Sequence, residues 1–481
     1  MTHARFTAWT LLVGAGFALF AGGAGAQDPT PPKKDSAAPA AVTGYKNIER
    51  GGIPKDDLKA ARENFTKFAK YYADVVAYTP MYRGPQEFKA ERADNPYTIE
   101  GPNGLFVDLN RFLIVPIPGN GQKYGPDQVV YMHELGAALD AALKALITDA
   151  KYETIVRVNA ARVLAYVCRG GAPAHFDTLT SLLSNANTRT EIKYHLFHAA
   201  ANLLAAYDPN WVKTRNHVTQ TDNPKPVGAL VKVLDDCVNN PALLLAGLPD
   251  NKADKATQDQ LDVIGLVRRQ AIKALAQVRF AVIAGPDGKL LYPAHTLARV
   301  ALGDPALLPA PGPADCAVAA LGLMNMAPVE VKGDRVTPVK YNADAAVEAV
   351  TAALLTFAEP RAANAGDRSL PWRTYSIRLA EGMRSWRLLF DPDYDFAAPN
   401  KTAASTIPPV VEELYKDVVP KVLAPMDKVD FSGKPDAGAT VAIESLRSRL
   451  TAIRANPNRS TTLFPGVPQT SIVFEQPAKK E

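Results

Sequence analysis

The sequence predicts an all-α fold, an α-solenoid of stacked helix pairs behind a cleaved signal peptide. Alanine occupies 77 of the 481 positions and proline 39. Since alanine is the best helix former and proline the worst, this composition indicates many alanine-rich helices separated by proline-rich connections. From Pro126 the apolar pattern alternates between helix and short break, and first helices recur about every 47 residues, which is typical of a helical repeat array.

The first 26 residues predict an export signal. An apolar run follows Arg5, and the small residues Ala24 and Ala26 predict signal-peptidase cleavage before Gln27. An uncleaved membrane anchor is the less favoured alternative, because the run is shorter than the roughly 20 residues that a spanning helix needs. No later stretch approaches that length. We therefore expect a periplasmic or secreted protein without a transmembrane segment after cleavage.

Three segments precede or interrupt the predicted repeats. Residues 27–46 are rich in proline and alanine and predict a disordered tether. Residues 47–125 predict a helix from Pro54 to about Tyr78, followed by an irregular segment rich in proline, glycine and asparagine. Its only strand-like run is 105–116, which is too little for a sheet of its own.

The central unit, 126–390, predicts five helix pairs. They are 126–147 with 151–168, 173–184 with 188–206, 223–239 with 259–283, 293–302 with 313–326, and 341–358 with 371–390. Residues 391–455 predict a closing unit whose helices span 406–424 and 436–455, and residues 456–481 predict a loose tail. A polar last element is what a stacked array needs at its end.

The second helices of the pairs resemble one another. VRVNAARVLA at 156–165 aligns with VRRQAIKALA at 267–276, and more loosely with LFHAAANLLA at 196–205. These segments resemble the inner helix of HEAT/armadillo-type repeats, here in an exported bacterial protein. The resemblance covers about 126–390 and implies stacked helices that line a long concave groove.

The same alignment gives candidate binding residues. Arg162, Asn202 and Lys273 occupy equivalent positions, and His198 and Arg269 lie one turn earlier. In HEAT/armadillo-like proteins this surface is the usual ligand groove, so the resemblance implies a polar, mildly basic ridge that binds a protein or an envelope polymer. The alternative is a solvated helix face, since charged residues on a surface need no function.

One constellation suggests a metal site. Glu191, His195, His198 and Asn202 lie within about 60° on a helix. Two imidazoles and a carboxylate are possible ligands for zinc or iron, which makes a metal-dependent hydrolase or lyase the alternative function. The spacing departs from known helical metal motifs and no further ligand is identifiable, so histidines satisfied within a groove-facing helix are the simpler interpretation.

No complete catalytic or cofactor motif is present, so we predict no cofactor. His133-Glu134 lacks the second histidine of a zincin, because position 137 is alanine. The stretch 391–395 (DPDYD) begins like a calcium loop but has Phe396 where glycine is required. The glycines of 119–125 do not form a phosphate-binding loop. A non-catalytic scaffold is therefore the leading functional hypothesis.

Charge and cysteine content argue against nucleic-acid binding, a disulfide framework and covalent haem attachment. The formal net charge of +5 over 481 residues gives no dense basic field, so nucleic acid is not an expected partner. Cys168, Cys237 and Cys316 do not form a disulfide framework or a haem-attachment motif. Three buried thiols are favoured over one disulfide with a free thiol.

Overall fold

The computed structural model describes part of the chain. The described residues are 57–78, 106, 109, 112–113, 126–206, 225–245, 256–332, 335–364, 371–390, 408–423 and 437–474. The predicted signal peptide, the tether and the 391–395 turn lie outside them. Within these residues no helix is long and apolar enough to cross a membrane.

The described residues form thirteen α-helices and four short strands, which confirms a predominantly helical fold. The helices are α1 Leu58–Ala77, α2 Pro126–Thr148, α3 Thr154–Val167, α4 Ala174–Ser184, α5 Thr190–Ala206, α6 Lys225–Asn239, α7 Gln258–Leu275, α8 Pro293–Ala301, α9 Pro313–Asn325, α10 Ala343–Ala363, α11 Trp372–Trp386, α12 Pro409–Val418 and α13 Ala437–Ala455. The strands are β1 Phe280–Ala284, β2 Leu290–Leu291, β3 Ala327–Lys332 and β4 Arg335–Pro338.

Contacts between helices define two rows. Helices α2, α4, α6, α8 and α10 contact one another in sequence, and so do α3, α5, α7, α9 and α11. The first four helices of one row also contact their partners in the other. Helix α1 packs against α2 at one end, and α13 packs against α10 at the other. Helix α9, in the middle of the contacts, is buried almost all round, whereas α11 at the end of the second row has one exposed side.

A small sheet corrects the predicted helix 259–283. The helix ends at Leu275, and the last predicted residues instead form β1 in the strand order β2-β1-β3-β4. Strand β1 is parallel to β3, and the outer pairs are antiparallel. The run FAVIA is buried along nearly its whole length. Such a short apolar run fits a buried helix and a buried strand equally well, so periodicity alone could not distinguish them.

The described part of the predicted tail is packed rather than loose. Leu463 is fully buried, and the ring of Phe464 lies 5.1 Å from Tyr292 and 5.5 Å from Tyr341, centroid to centroid. The amide of Asn342, before α10, donates to the carbonyl of Leu463 at 2.8 Å. Residues 460–474, which we call the C-terminal strap, therefore attach to the starts of α8 and α10.

The strand-like run at 105–116 is also corrected. Its described residues, Phe106, Leu109, Phe112 and Leu113, are helical. Phe112 packs edge-on against Phe68 of α1 at 4.9 Å, and its carbonyl accepts a hydrogen bond from Tyr131 of α2 at 2.8 Å. Phe112 is therefore held against the first two helices.

All three cysteines are free and buried, as the composition favours. Burial, with the nearby carboxylate of Asp140, raises the pKa of Cys168 well above its ordinary value. Burial also raises the pKa values of Cys237 and Cys316 to about 12. Thiols with such pKa values are poor nucleophiles at neutral pH, so these cysteines act as small apolar side chains.

Asp235 gives a pH-dependent prediction for the contact between α6 and α8. Burial raises its pKa from 3.8 to about 6, although the hydroxyl of Thr296 donates to the carboxylate and opposes the shift. The folded state therefore holds this proton between about pH 4 and about pH 6, where the unfolded chain has lost it, so the Asp235 contribution to stability falls as pH rises. We expect Asp235→Asn to gain stability relative to the parent across that window and to level off above it.

Urea unfolding of both chains at several pH values measures this difference. Other groups titrate alike in the two chains, so the difference isolates Asp235. Parallel pH profiles of the parent and Asp235→Asn would contradict the assignment.

Candidate functional site

The candidate site is the partly exposed face of the second-row helices. All five predicted groove residues, Arg162, His198, Asn202, Arg269 and Lys273, are partly exposed on α3, α5 or α7. The residues between them are largely apolar and buried against neighbouring helices. The sequence alignment therefore selected the outward-facing positions, but the structure gives these side chains different roles.

Arg162 is covered by a residue that the alignment could not place. Its guanidinium lies 5.5 Å from the ring centroid of Phe106, and that ring also packs against Tyr166 at 4.9 Å. Phe106 therefore lies over the face of α3. Arg162 forms the covered end of the candidate site rather than part of an open groove.

Asn202 and Arg269 have structural partners. The side-chain amide of Asn202 donates to the carbonyl of Ala165 at 2.7 Å and satisfies an acceptor at the end of α3. The Nε of Arg269 lies 2.6 Å from Asp315, whose carboxylate also accepts from the amide of Gly312 at 3.1 Å. Arg269 thus connects α7 to the first turn of α9.

Lys273 is the most unusual cation of the site. Burial, followed by the charges of Arg269 and Arg378, lowers its pKa, and the carboxylate of Asp315 opposes the shift. Arg378 is exposed on α11, and the pKa of Tyr375 on the same helix also responds to Arg269, Asp315 and Arg378. Helices α7 and α11 therefore bring several positive charges together beside one carboxylate.

The two histidines on α5 are neutral at neutral pH. Burial lowers the pKa of His195 to about 4, with further contributions from His198 and Arg162. Burial and Lys273 lower the pKa of His198, although a hydrogen bond with Gln270 opposes the shift. Neutral imidazoles beside Tyr194, whose ring lies 5.0 Å from His198, give this part of the face an aromatic character.

The predicted metal ligands do not converge. Glu191 is paired with Arg189 at 3.0 Å, and the rings of His195 and His198 lie 6.4 Å apart, centroid to centroid. The hydrogen bond from Arg189 lowers the pKa of Glu191 against the opposing effect of burial, which keeps the carboxylate in its ion pair. Across the described residues, no three His, Cys, Asp or Glu side chains form a group that could hold a metal ion. Glu191, His195, His198 and Asn202 all lie on α5, but Glu191 is engaged by Arg189.

A second cluster has catalytic residue types without access to solvent. Asp140 accepts from Nδ1 of His175 at 2.8 Å and from the hydroxyl of Thr178 at 2.6 Å, and its charge acts on Cys168. His175 and Cys168 are both fully buried. A substrate cannot reach groups enclosed in this way, so the cluster links α2 to α4.

The sequence reasoning missed Tyr375 and Arg378. Both lie on α11, the second helix of the fifth predicted pair. The repeat alignment did not include that helix, so it gave no candidate positions there. A search for exposed cations on α11 would have found Arg378 together with Arg373 and Arg384.

Family models, curated proteins and solved structures give no match to this chain. Its function must therefore be argued from the described face and from the sequence.

Proposed function

We propose that the chain is an exported, HEAT/armadillo-like helical-repeat protein that binds another protein or an envelope polymer and catalyses no reaction. The observation that carries the proposal is the face of α5, α7 and α11, where the charge of Lys273 acts on the neutral His198, the ring of His198 lies 5.0 Å from that of Tyr194, and Arg378 is exposed. Export rests on the first 26 residues of the sequence.

The packing of the helices supports this proposal. Helices joined in two rows expose one long face per row, and in helical-repeat proteins such faces bind extended partners. Aromatic residues and arginine are enriched at protein interfaces, whereas a purely structural face needs neither. The second row carries this mixture at its partly exposed positions.

The metal-dependent alternative has lost its main support. It required Glu191, His195 and His198 to act together, but Glu191 is engaged with Arg189 and the three side chains do not form a ligand group. The buried Asp140 cluster does not replace it, because its histidine is enclosed. Binding is therefore the function that the described residues support best.

Affinity capture with charge reversal tests the proposal. We expect the tagged chain, processed by its native cell, to retain partners from the envelope that a Lys273→Glu/Arg378→Glu variant retains about ten-fold less well, because reversal replaces attraction by repulsion. Arg384→Glu is the matched control, since Arg384 is exposed on another side of α11.

Melting temperatures establish that all three chains fold. An unchanged partner set in the folded double variant would contradict binding at this face and would favour a structural spacer.

A further inference from the structure

The guanidinium of Arg268 is enclosed within the fold. Arg268 lies on α7 and is 1% exposed. Its Nη2 donates to the carbonyl of Pro309, in the loop 302–312 that joins α8 to α9. A Cβ built on Gly265, one turn earlier on α7, would lie 3.4 Å from Cγ of Pro309. The loop therefore packs directly against α7 at the charged end of Arg268.

Most of the N–H donors of Arg268 have no acceptor. Nε and Nη1 are buried and have no hydrogen-bond partner among the residues that the structure describes. These two nitrogens carry most of the N–H donors of a guanidinium. Because arginine stays protonated in proteins, Arg268 cannot avoid the cost of burial by becoming neutral. The enclosed charge therefore needs a compensating group.

The described carboxylates around α7 are already engaged. Helices α5, α6, α8 and α9 pack against α7. The carboxylates on these helices and on the loop 302–312 each form an ion pair or a hydrogen bond with another side chain; they are Glu191, Asp235, Asp236, Asp304 and Asp315. The acids of α7 itself, Asp259 and Asp262, precede Arg268 by at least six residues, or about 9 Å along the helix axis. The charge of Arg268 is therefore unbalanced in the described part of the fold.

The other groups beside Arg268 do not supply negative charge. Arg269 follows it on α7 and is paired with Asp315 at 2.6 Å, which brings the start of α9 close to this part of α7. Helix N-termini carry partial positive charge, so α9 also favours an anion here. Cys316 is neutral at neutral pH, because burial raises its pKa to about 12. A water molecule could accept hydrogen bonds from Arg268 but would leave its charge unbalanced.

We propose that Arg268 holds a chloride ion between α7 and the loop 302–312. Chloride balances the charge, and its hydrogen bonds with the guanidinium are charge-assisted on both sides. It is a single atom, whereas a carboxylate or a phosphate needs more room than a 1% exposed side chain leaves open. The site is separate from the proposed binding face, which consists of partly exposed side chains. The ion would hold the loop between α8 and α9 against α7.

Urea unfolding of the full chain, as its native cell processes it, tests the inference. Sodium gluconate is replaced stepwise by sodium chloride, so that the ionic strength and its screening stay constant. We expect the unfolding equilibrium constant to fall about ten-fold once chloride reaches about ten times its dissociation constant, because the unfolded chain does not bind the ion. The effect should correspond to one ion per chain, and sodium bromide should replace sodium chloride.

Two variants show whether Arg268 is responsible. Arg268→Met removes the charge from a side chain of similar length, so the chloride dependence should disappear. Arg384→Met is the matched control and should keep the full ten-fold effect, since Arg384 is exposed on α11. Equal chloride dependence of the parent and Arg268→Met would overturn the inference. If sulfate distinguished the parent from Arg268→Met as strongly as chloride does, the choice of an enclosed single-atom ion would be wrong.

The parent chain keeps the test decisive if Arg268→Met does not fold. A chloride dependence that saturates and is reproduced by bromide would support the ion, because general effects of salts on unfolding do not saturate in this way. An unfolding equilibrium constant that does not respond to chloride at constant ionic strength would overturn the inference and would leave water as the group that meets the buried donors.

Discussion

Gly322→Ala is expected to destabilise the protein by about 2 kcal/mol, although alanine is the better helix former by about 1 kcal/mol. Gly322 lies on α9, and a Cβ there would meet Cδ1 of Leu297 at 2.6 Å, Cβ of Ala276 at 2.8 Å and Cα of Ala276 at 2.9 Å. Leu297 is on α8 and Ala276 follows α7, so the added methyl group would push three helices apart. The side chain of Leu297 can move, but the backbone of Ala276 cannot move without displacing α7.

Gly265→Ala is the matched control for this effect. Gly265 lies within α7, and its nearest neighbour would be Cγ of Pro309 at 3.4 Å, which is close to an ordinary contact. There the gain in helix propensity should dominate, and stability should rise by up to about 1 kcal/mol. Urea unfolding of the parent and of both variants measures the two changes in the free energy of unfolding. A Gly322→Ala chain as stable as Gly265→Ala would contradict the close approach of α7, α8 and α9.

The helices were predictable because local signals mark them. Proline at the first turn starts α8 and α9, and apolar spacing locates the buried side of α1 at Phe65, Phe68 and Tyr72. These signals act over one or two turns, so they survive in a single sequence. Prediction was correct for most helix ends to within about three residues.

Strands and the C-terminal strap could not be predicted in the same way. Strand β1 pairs with β3 across two intervening helices, α8 and α9, and the strap is held by contacts such as that between His295 and Ser471, 176 residues apart. Pairings over such distances depend on the whole fold. A short apolar run contains no information about which distant segment will cover it.

The candidate site shows the same limit. Helical spacing placed Glu191, His195 and His198 on one face, but it could not show that Glu191 forms an ion pair with Arg189. The ridge alignment likewise found Arg269 without its partner on α9, Asp315. A pattern on one helix predicts what faces outward, and only tertiary packing decides which outward residues remain available to a ligand.

Asp140→Ala is expected to lower the free energy of unfolding by about 3 kcal/mol, because it leaves buried donors without an acceptor. Asp140 is 5% exposed on α2, and its two oxygens accept from His175 and Thr178 of α4. Nε2 of His175 has no hydrogen-bond partner among the residues that the structure describes. Without the carboxylate, neither imidazole nitrogen would have a hydrogen-bond partner, and the site is closed to water. Asp140→Asn should recover most of the loss, since its amide oxygen can accept from His175 while its NH₂ donates to the hydroxyl of Thr178.

Two measurements separate this buried network from a general effect of losing a carboxylate. Asp74→Ala, which removes an exposed partner of Lys70, should change stability by less than about 0.5 kcal/mol in the same urea titration. Amide hydrogen exchange should accelerate first in α2 and α4 of Asp140→Ala, because those two helices lose their shared polar link. If Asp140→Asn were as unstable as Asp140→Ala, the negative charge rather than the hydrogen bonds would hold α2 to α4. If neither variant changed the free energy of unfolding, packing of the apolar residues around Cys168 would be sufficient to hold α2 against α4.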